Sequence, residues 1–185
     1  KSTAGNDPLG AYKLGCFYAG QHAGVVAVDA EMALTYKLIA ANAGYALAQI
    51  DVAVAYYRRN EFTEAAAWWQ QAAGQGYPQA SMALSTLYLE GKGVEKDQVK
   101  AYAWLKHAYA VTGQKIAGRG LEVLEKIARD MSPADIVAAA DGSIFVAGGI
   151  GTLSPAGPTL MAVAKLLGDT PAPASACLEQ KHVIV

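Results

Sequence analysis

Two segments of this chain say nearly the same thing. Residues 40–48 read AANAGYALA and residues 72–80 read AAGQGYPQA, which share Ala-Ala-x-x-Gly-Tyr-x-x-Ala. A third, looser copy ends at Gly113. Self-similarity at a period of about 32–37 residues points to stacked helix pairs, because one such unit cannot bury its apolar face alone. The expected fold is an all-α, right-handed solenoid, an architecture that presents a curved surface to partners more than it performs chemistry.

Alignment of the second helix of each unit supports the period. Ala33, Ala65 and Ala101 correspond, as do Tyr36, Trp68 and Trp104, then Ala40, Ala72 and Ala108. These positions fall at i, i+3 and i+7, one helix face. The small residues let helices approach and the aromatic fills the space between layers. Gly44, Gly76 and Gly113 follow as helix stops that tolerate a left-handed backbone. The first helices align as Ala11, Leu14, Gly15, Tyr18 in the first unit, Ala48, Val52, Ala55 in the second, and Ala80, Ala83, Leu84, Leu87 in the third. Between the helices, Gly20, Gly24 and Asp29 in the first loop match Gly91, Gly93 and Asp97 in the third, with the aspartates as N-caps. The second loop is cut to Arg59-Asn60-Glu61, with Thr63 as the expected cap.

The pattern Ala-x-x-Leu-Gly-x-x-Tyr followed by Gly-x-Gly-Val-x-x-Asp-x-x-Lys-Ala-x-x-Trp-x-x-x-Ala resembles the Sel1-like repeat family. The third unit carries its second half as Gly91, Gly93, Val94, Asp97, Lys100, Ala101, Trp104 and Ala108. The first unit departs at Tyr36, and the second lacks the Gly-x-Gly-Val loop and reads as an ordinary tetratricopeptide repeat. The resemblance spans residues 8–113. Residues 114–141 resemble the closing helices of bacterial Sel1-like proteins, with Ser132 as N-cap, Pro133 at the first helical position and Asp135 completing a capping-box-like turn. The resemblance implies a non-enzymatic protein–protein adaptor or scaffold in a bacterial envelope or secreted complex. The alternative is a module that takes a cell-wall fragment or other small ligand in the concave groove.

Residues 142–185 do not fit the array. From Gly142 to Ala164 there is no charged residue. Its glycines and prolines argue against one continuous membrane-spanning helix. A hairpin around Gly148-Gly149 fits better, with Phe145, Val146, Ile150 and Leu153 as a docking element or a cover for the end of the core. A short helix over 158–167 and a closing strand at 182–185 complete the expectation.

Charge and chemistry narrow the function. The net charge of −1 and pI near 6.3 give no basic footprint for nucleic acid. The histidines His22, His107 and His182 lack metal-ligand spacing, and no nucleophile elbow or phosphate loop is present. No cofactor, metal or catalytic residue is therefore expected. His107 reads as a packing or surface residue. The expected partner is a protein peptide or domain in the groove, contacted by Tyr12, Gln49, Tyr56, Ser81, Ser85 and Tyr88 from the first helices. Tyrosine suits such a surface, with an apolar body and a polar tip. Arg58 and Arg59 are either an acidic-partner contact or a charge complement to their helix C-terminus. Cys16 and Cys177 are either idle thiols or a disulfide, and the latter requires an oxidising compartment. The opening KSTAGNDP suits a processed export substrate or a shortened chain. The expected location is periplasmic or secreted, with the cytoplasm as the alternative.

Overall fold

The computed structural model describes residues 7–21, 24, 26–113 and 118–140. Among them lie eight helices: α1 (Pro8–Tyr18), α2 (Ala30–Asn42), α3 (Ala46–Arg58), α4 (Phe62–Gly74), α5 (Pro78–Glu90), α6 (Gln98–Thr112), α7 (Arg119–Ala128) and α8 (Pro133–Ala140). They divide into two compact units at Trp68 and Trp69, within α4.

Local chemistry sets the helix ends. The Asp7 carboxylate accepts from the Leu9 amide and Pro8 opens α1. Asp29 accepts from the amides of Glu31 and Met32, each at 3.0 Å. Asp97 accepts from that of Lys100 at 2.9 Å. Each satisfies donors that a helix start leaves without an internal partner. At the other end, Gly44, Gly76 and Gly113 all have positive φ, as a left-handed stop requires. In the shortened second loop Asn60 takes that conformation at φ 62°, and asparagine tolerates it better than most residues. Thr63 is not the cap there: α4 begins at Phe62, so Thr63 lies in its first turn.

The loops also fix the register between units. The Asp29 amide donates to Tyr18 O at 2.9 Å, the Glu61 amide to Tyr56 O at 3.0 Å, and the Asp97 amide to Tyr88 O at 3.0 Å. The carbonyls of the same three residues accept from Ala33, Ala65 and Ala101. Tyr18, Tyr56 and Tyr88 are therefore equivalent. So are Leu14, Val52 and Leu84, then Gly15, Ala53 and Ser85. This shifts the first-helix alignment of the second and third units from the one expected by composition. Glu61 takes the place of the capping aspartates.

In the first unit α1 packs on α2 and α2 on α3. Tyr12, Cys16, Leu34, Ala40, Ala41, Ala48 and Val52 form its core, with Tyr45, Tyr56 and Trp68 against them. The rings of Tyr12 and Tyr45 lie 5.0 Å apart. Gly15 lets α1 and α2 cross closely. A Cβ there would meet Lys37 Cγ at 2.7 Å and Ala33 O at 3.0 Å. The Lys37 ammonium, carried past Gly15, pairs with Asp51 of α3 at 2.7 Å, and both side chains are nearly inaccessible.

In the second unit α5 packs on α6, and α6 receives both α7 and α8. Met82, Leu105, Ala108, Tyr109, Leu124 and Ile127 form one core cluster. The expected cap at Ser132 is in place. The Asp135 amide donates to Ser132 Oγ at 3.1 Å, and that hydroxyl donates to Asp135 Oδ2 at 2.7 Å. The expected hairpin with Phe145, Val146, Ile150 and Leu153, the following helix and the closing strand lie outside the described residues, as do His22, Cys177 and His182. No described helix is long and apolar enough to cross a membrane.

Candidate interaction surface

Each first helix contributes a row of four side chains: Ala11, Leu14, Gly15, Tyr18 on α1; Gln49, Val52, Ala53, Tyr56 on α3; Ser81, Leu84, Ser85, Tyr88 on α5. On α3 and α5 the inner positions of these rows are closed to a partner. Gln49 is 2% exposed and its amide donates to Ala41 O at 3.2 Å. Ser85, 3% exposed, donates to Ala101 O at 2.8 Å. Ser81 is fully buried with its Oγ 2.8 Å from His107 Nδ1. Tyr12 is fully buried in the core cluster. The expectation that Tyr12, Gln49, Ser81 and Ser85 line an open groove is thereby corrected. The Ala-rich faces bring helices close enough for short polar side chains to reach backbone carbonyls or a facing ring, and burial demands that they do so.

The tyrosines at the loop end of each row remain half-buried. Tyr18 stacks on Tyr36 with centroids 5.6 Å apart and planes at 5°. Tyr56 and Trp68 both lie against the core of the first unit. The Lys100 ammonium sits 5.6 Å from the Tyr88 ring centroid and 3.1 Å from Asp97 Oδ2. The hydrogen bond to Asp97 raises the Lys100 pKa above its ordinary value. Of the expected contact residues, Tyr56 and Tyr88 are therefore the ones left partly accessible, and Tyr18 joins them by register.

The arginine pair separates. Arg59 forms an exposed ion pair with Glu31 of α2. Arg58, in the last turn of α3, is exposed. Sequence reasoning missed the apolar side chains left open on α1 and α2: Leu9, Leu14 and Ile39 are 41%, 44% and 46% exposed. Aligning the first helices on the loop tyrosines pairs Leu14 with Val52 and Leu84, both fully buried, so its exposure is not foretold by the sequence.

Ser81 and His107 are the sort of hydroxyl–imidazole pair that nucleophilic catalysis employs. Here both are buried, with the Trp104 ring edge-on to the imidazole at 5.7 Å. Burial lowers the His107 pKa to about 4. The pair packs α5 against α6 and offers no approach to a substrate. Among the described residues no group of three or more His, Cys, Asp or Glu side chains could hold a metal ion. Cys16 is buried and is not a free thiol.

Two solved structures share this architecture. A Sel1 repeat protein from Oxalobacter formigenes matches with a TM-score of 0.55 and 23% identity over 77% of this chain and 66% of its own. c5321, a protective antigen present in uropathogenic Escherichia coli strains and displaying an SLR fold, matches with a TM-score of 0.52 and 19% identity over 84% of this chain and 43% of its own. The chain thus spans about two thirds of the first protein and under half of the second. No family profile and no curated protein matches the sequence. The fold is that of Sel1-like repeats, an all-α array of helix pairs.

Proposed function

We propose that this chain is a non-enzymatic scaffold for protein–protein interaction. The observation that carries the reading is the division of labour along α1, α3 and α5. The polar inner positions of α3 and α5 are used within the fold, while Tyr18, Tyr56 and Tyr88 stay partly accessible at equivalent places. Rigid aromatic anchors of this kind dominate interface energetics, and affinity follows their fit more than the area covered. Arg58, not held by the pairing that takes Arg59, is assigned to an acidic rim contact. The proposed setting is a bacterial envelope or secreted complex, and the absence of a free thiol at Cys16 supports it. Non-reducing peptide mapping should recover Cys16 linked to Cys177, and free thiols at both would sink the export part.

The scaffold reading is tested by crosslinking mass spectrometry on native extract, comparing wild type with Tyr56→Ala/Tyr88→Ala. Protein crosslinks should centre on the loop ends of α3 and α5 and fall about tenfold in the variant, a loss of about 1.4 kcal/mol in binding. A melting temperature raised by cell-wall fragments, with no protein crosslinked, would replace the scaffold with the ligand-binding alternative.

A further inference from the structure

The loop register gives α1 a face with a known counterpart. Leu9 stands where α3 has Leu47, Gly10 where it has Ala48, Lys13 where it has Asp51 and Leu14 where it has Val52. On α3 these positions bury against α2. Val52 and Ala48 lie in one cluster with Leu34 and Ala41, Leu47 and Leu38 pack onto it, and Asp51 meets Lys37. On α1 three of these positions stay open: Leu9 and Leu14 are 41% and 44% exposed and Lys13 is exposed between them, while Gly10 is partly exposed with the Asp7 side chain beside it. The shape class is unchanged, with large apolar, small and large apolar residues in the same order. The charge is reversed, from Asp51 to Lys13.

We propose that this face of α1 is a joint for a further helix pair of the repeat kind, one whose second helix lays small and apolar residues on Leu9, Gly10 and Leu14 and sets a carboxylate against Lys13. This rests on the scaffold reading and names one partner surface for it. Two features favour this occupant over others. The α2–α3 contact shows the same row of positions buried by such a helix, with a charge pair at its centre. The reversed sign at Lys13 excludes a helix of α2's own type, since its Lys37 would face another ammonium. Desolvated like charges are strongly disfavoured, and complementary ones set register and partner choice.

A charge exchange tests it. The probe is a synthetic helix pair of residues 8–42 carrying Cys16→Ala and Lys37→Glu, titrated into the full chain by calorimetry after its helicity is confirmed. It should bind saturably, and about tenfold more tightly than the same probe with Lys37 retained. In the full chain Lys13→Glu should invert that preference, and Leu14→Asp should abolish binding of both. Should the free probe lack helicity, the same two helix pairs are joined ahead of residue 7. Amide exchange in α1 should then slow when the joined pair carries Lys37→Glu and not when it keeps Lys37. A helical probe that does not bind, affinities indifferent to residues 13 and 37, or equal exchange in the two fusions overturns the proposal. So does a concentration-dependent increase in mass of the unmixed chain that Leu14→Asp removes, which would make the occupant a second copy. Crosslinking through Tyr56 and Tyr88 does not depend on α1, so these results leave the scaffold reading separately testable.

Discussion

The ion pair between Lys37 and Asp51 is the strongest quantitative commitment of the first unit. The two side chains are 9% and 1% exposed, and their charged atoms are 2.7 Å apart. Removing one partner of a buried pair strands the other charge without water, which costs about 3–5 kcal/mol. Replacing both with apolar groups of similar volume is often neutral or stabilising, because neither desolvation penalty is then incurred. Asp51→Ala should therefore lower stability by about 3–5 kcal/mol, or about 6–20 °C in the unfolding midpoint at 2–4 °C per kcal/mol for a chain of this size. Lys37→Met keeps the aliphatic stem that lies on Gly15. The double variant Lys37→Met/Asp51→Leu should accordingly recover to within about 1 kcal/mol of wild type. The assay is urea and thermal unfolding of wild type, both single variants and the double variant, read as a double-mutant cycle. Glu31→Ala is the control, since the exposed pair of Glu31 with Arg59 is worth at most about 1 kcal/mol and should fade in 1 M salt. The reasoning fails if Asp51→Ala costs no more than Glu31→Ala, or if the double variant is as unstable as the sum of the singles.

Three further outcomes follow from the same geometry. Gly15→Ala must push α1 off the Ala33 carbonyl, so packing loss should exceed the gain in helix propensity and leave a net cost of about 1 kcal/mol in a urea melt. His107 is neutral in both states above its unfolded pKa of about 6.5; as pH falls toward its folded value of about 4, only the unfolded chain takes up the proton, so stability drops by up to about 3 kcal/mol. The pH dependence of unfolding between 7 and 4 should therefore be flatter in His107→Gln than in wild type, and an identical slope would refute it. The Tyr109 hydroxyl is buried with no hydrogen-bond partner among the described residues, and a Cβ at Gly120 would overlap it. Tyr109→Phe should then be neutral or stabilising by about 1 kcal/mol and should partly rescue Gly120→Ala, whereas a loss above about 1 kcal/mol in the single variant would sink that reading.

The features legible in the sequence were the ones whose cause is local. Asp29 and Asp97 cap helices because an acceptor at that position answers free amides three residues on, and Ser132 with Asp135 repeats the device. Gly44, Gly76 and Gly113 stop helices because few other residues accept the required φ. The register of the first helices was not legible in this way. Small and aliphatic residues recur so often along α3 and α5 that several alignments match equally well by composition, and only the loop hydrogen bonds to Tyr18, Tyr56 and Tyr88 choose among them. Polarity misled for a related reason. Ser81, Ser85 and Gln49 look like surface residues, yet alanine neighbours draw the helices close enough for each to find a buried partner. Nothing in the sequence spacing of Lys37 and Asp51 says that two helices will close over both.

One register position shows how the repeats diverge while keeping a common frame. Gly15, Ala53 and Ser85 are equivalent, and so are Ala33 and Ala101 on the helices they face. At the first pair a Cβ would come within 3.0 Å of the Ala33 carbonyl. At the third pair the Ser85 hydroxyl donates to the Ala101 carbonyl at 2.8 Å. The same carbonyl is thus packed against glycine in one unit and hydrogen-bonded by serine in another. The Lys37 stem lies against Gly15, and its ammonium pairs with Asp51. The charge on α3 is then committed inside the fold, whereas the equivalent charge on α1, Lys13, remains exposed between Leu9 and Leu14. A single register position thus carries a close backbone contact in one unit and a hydrogen bond in another, within one shared frame.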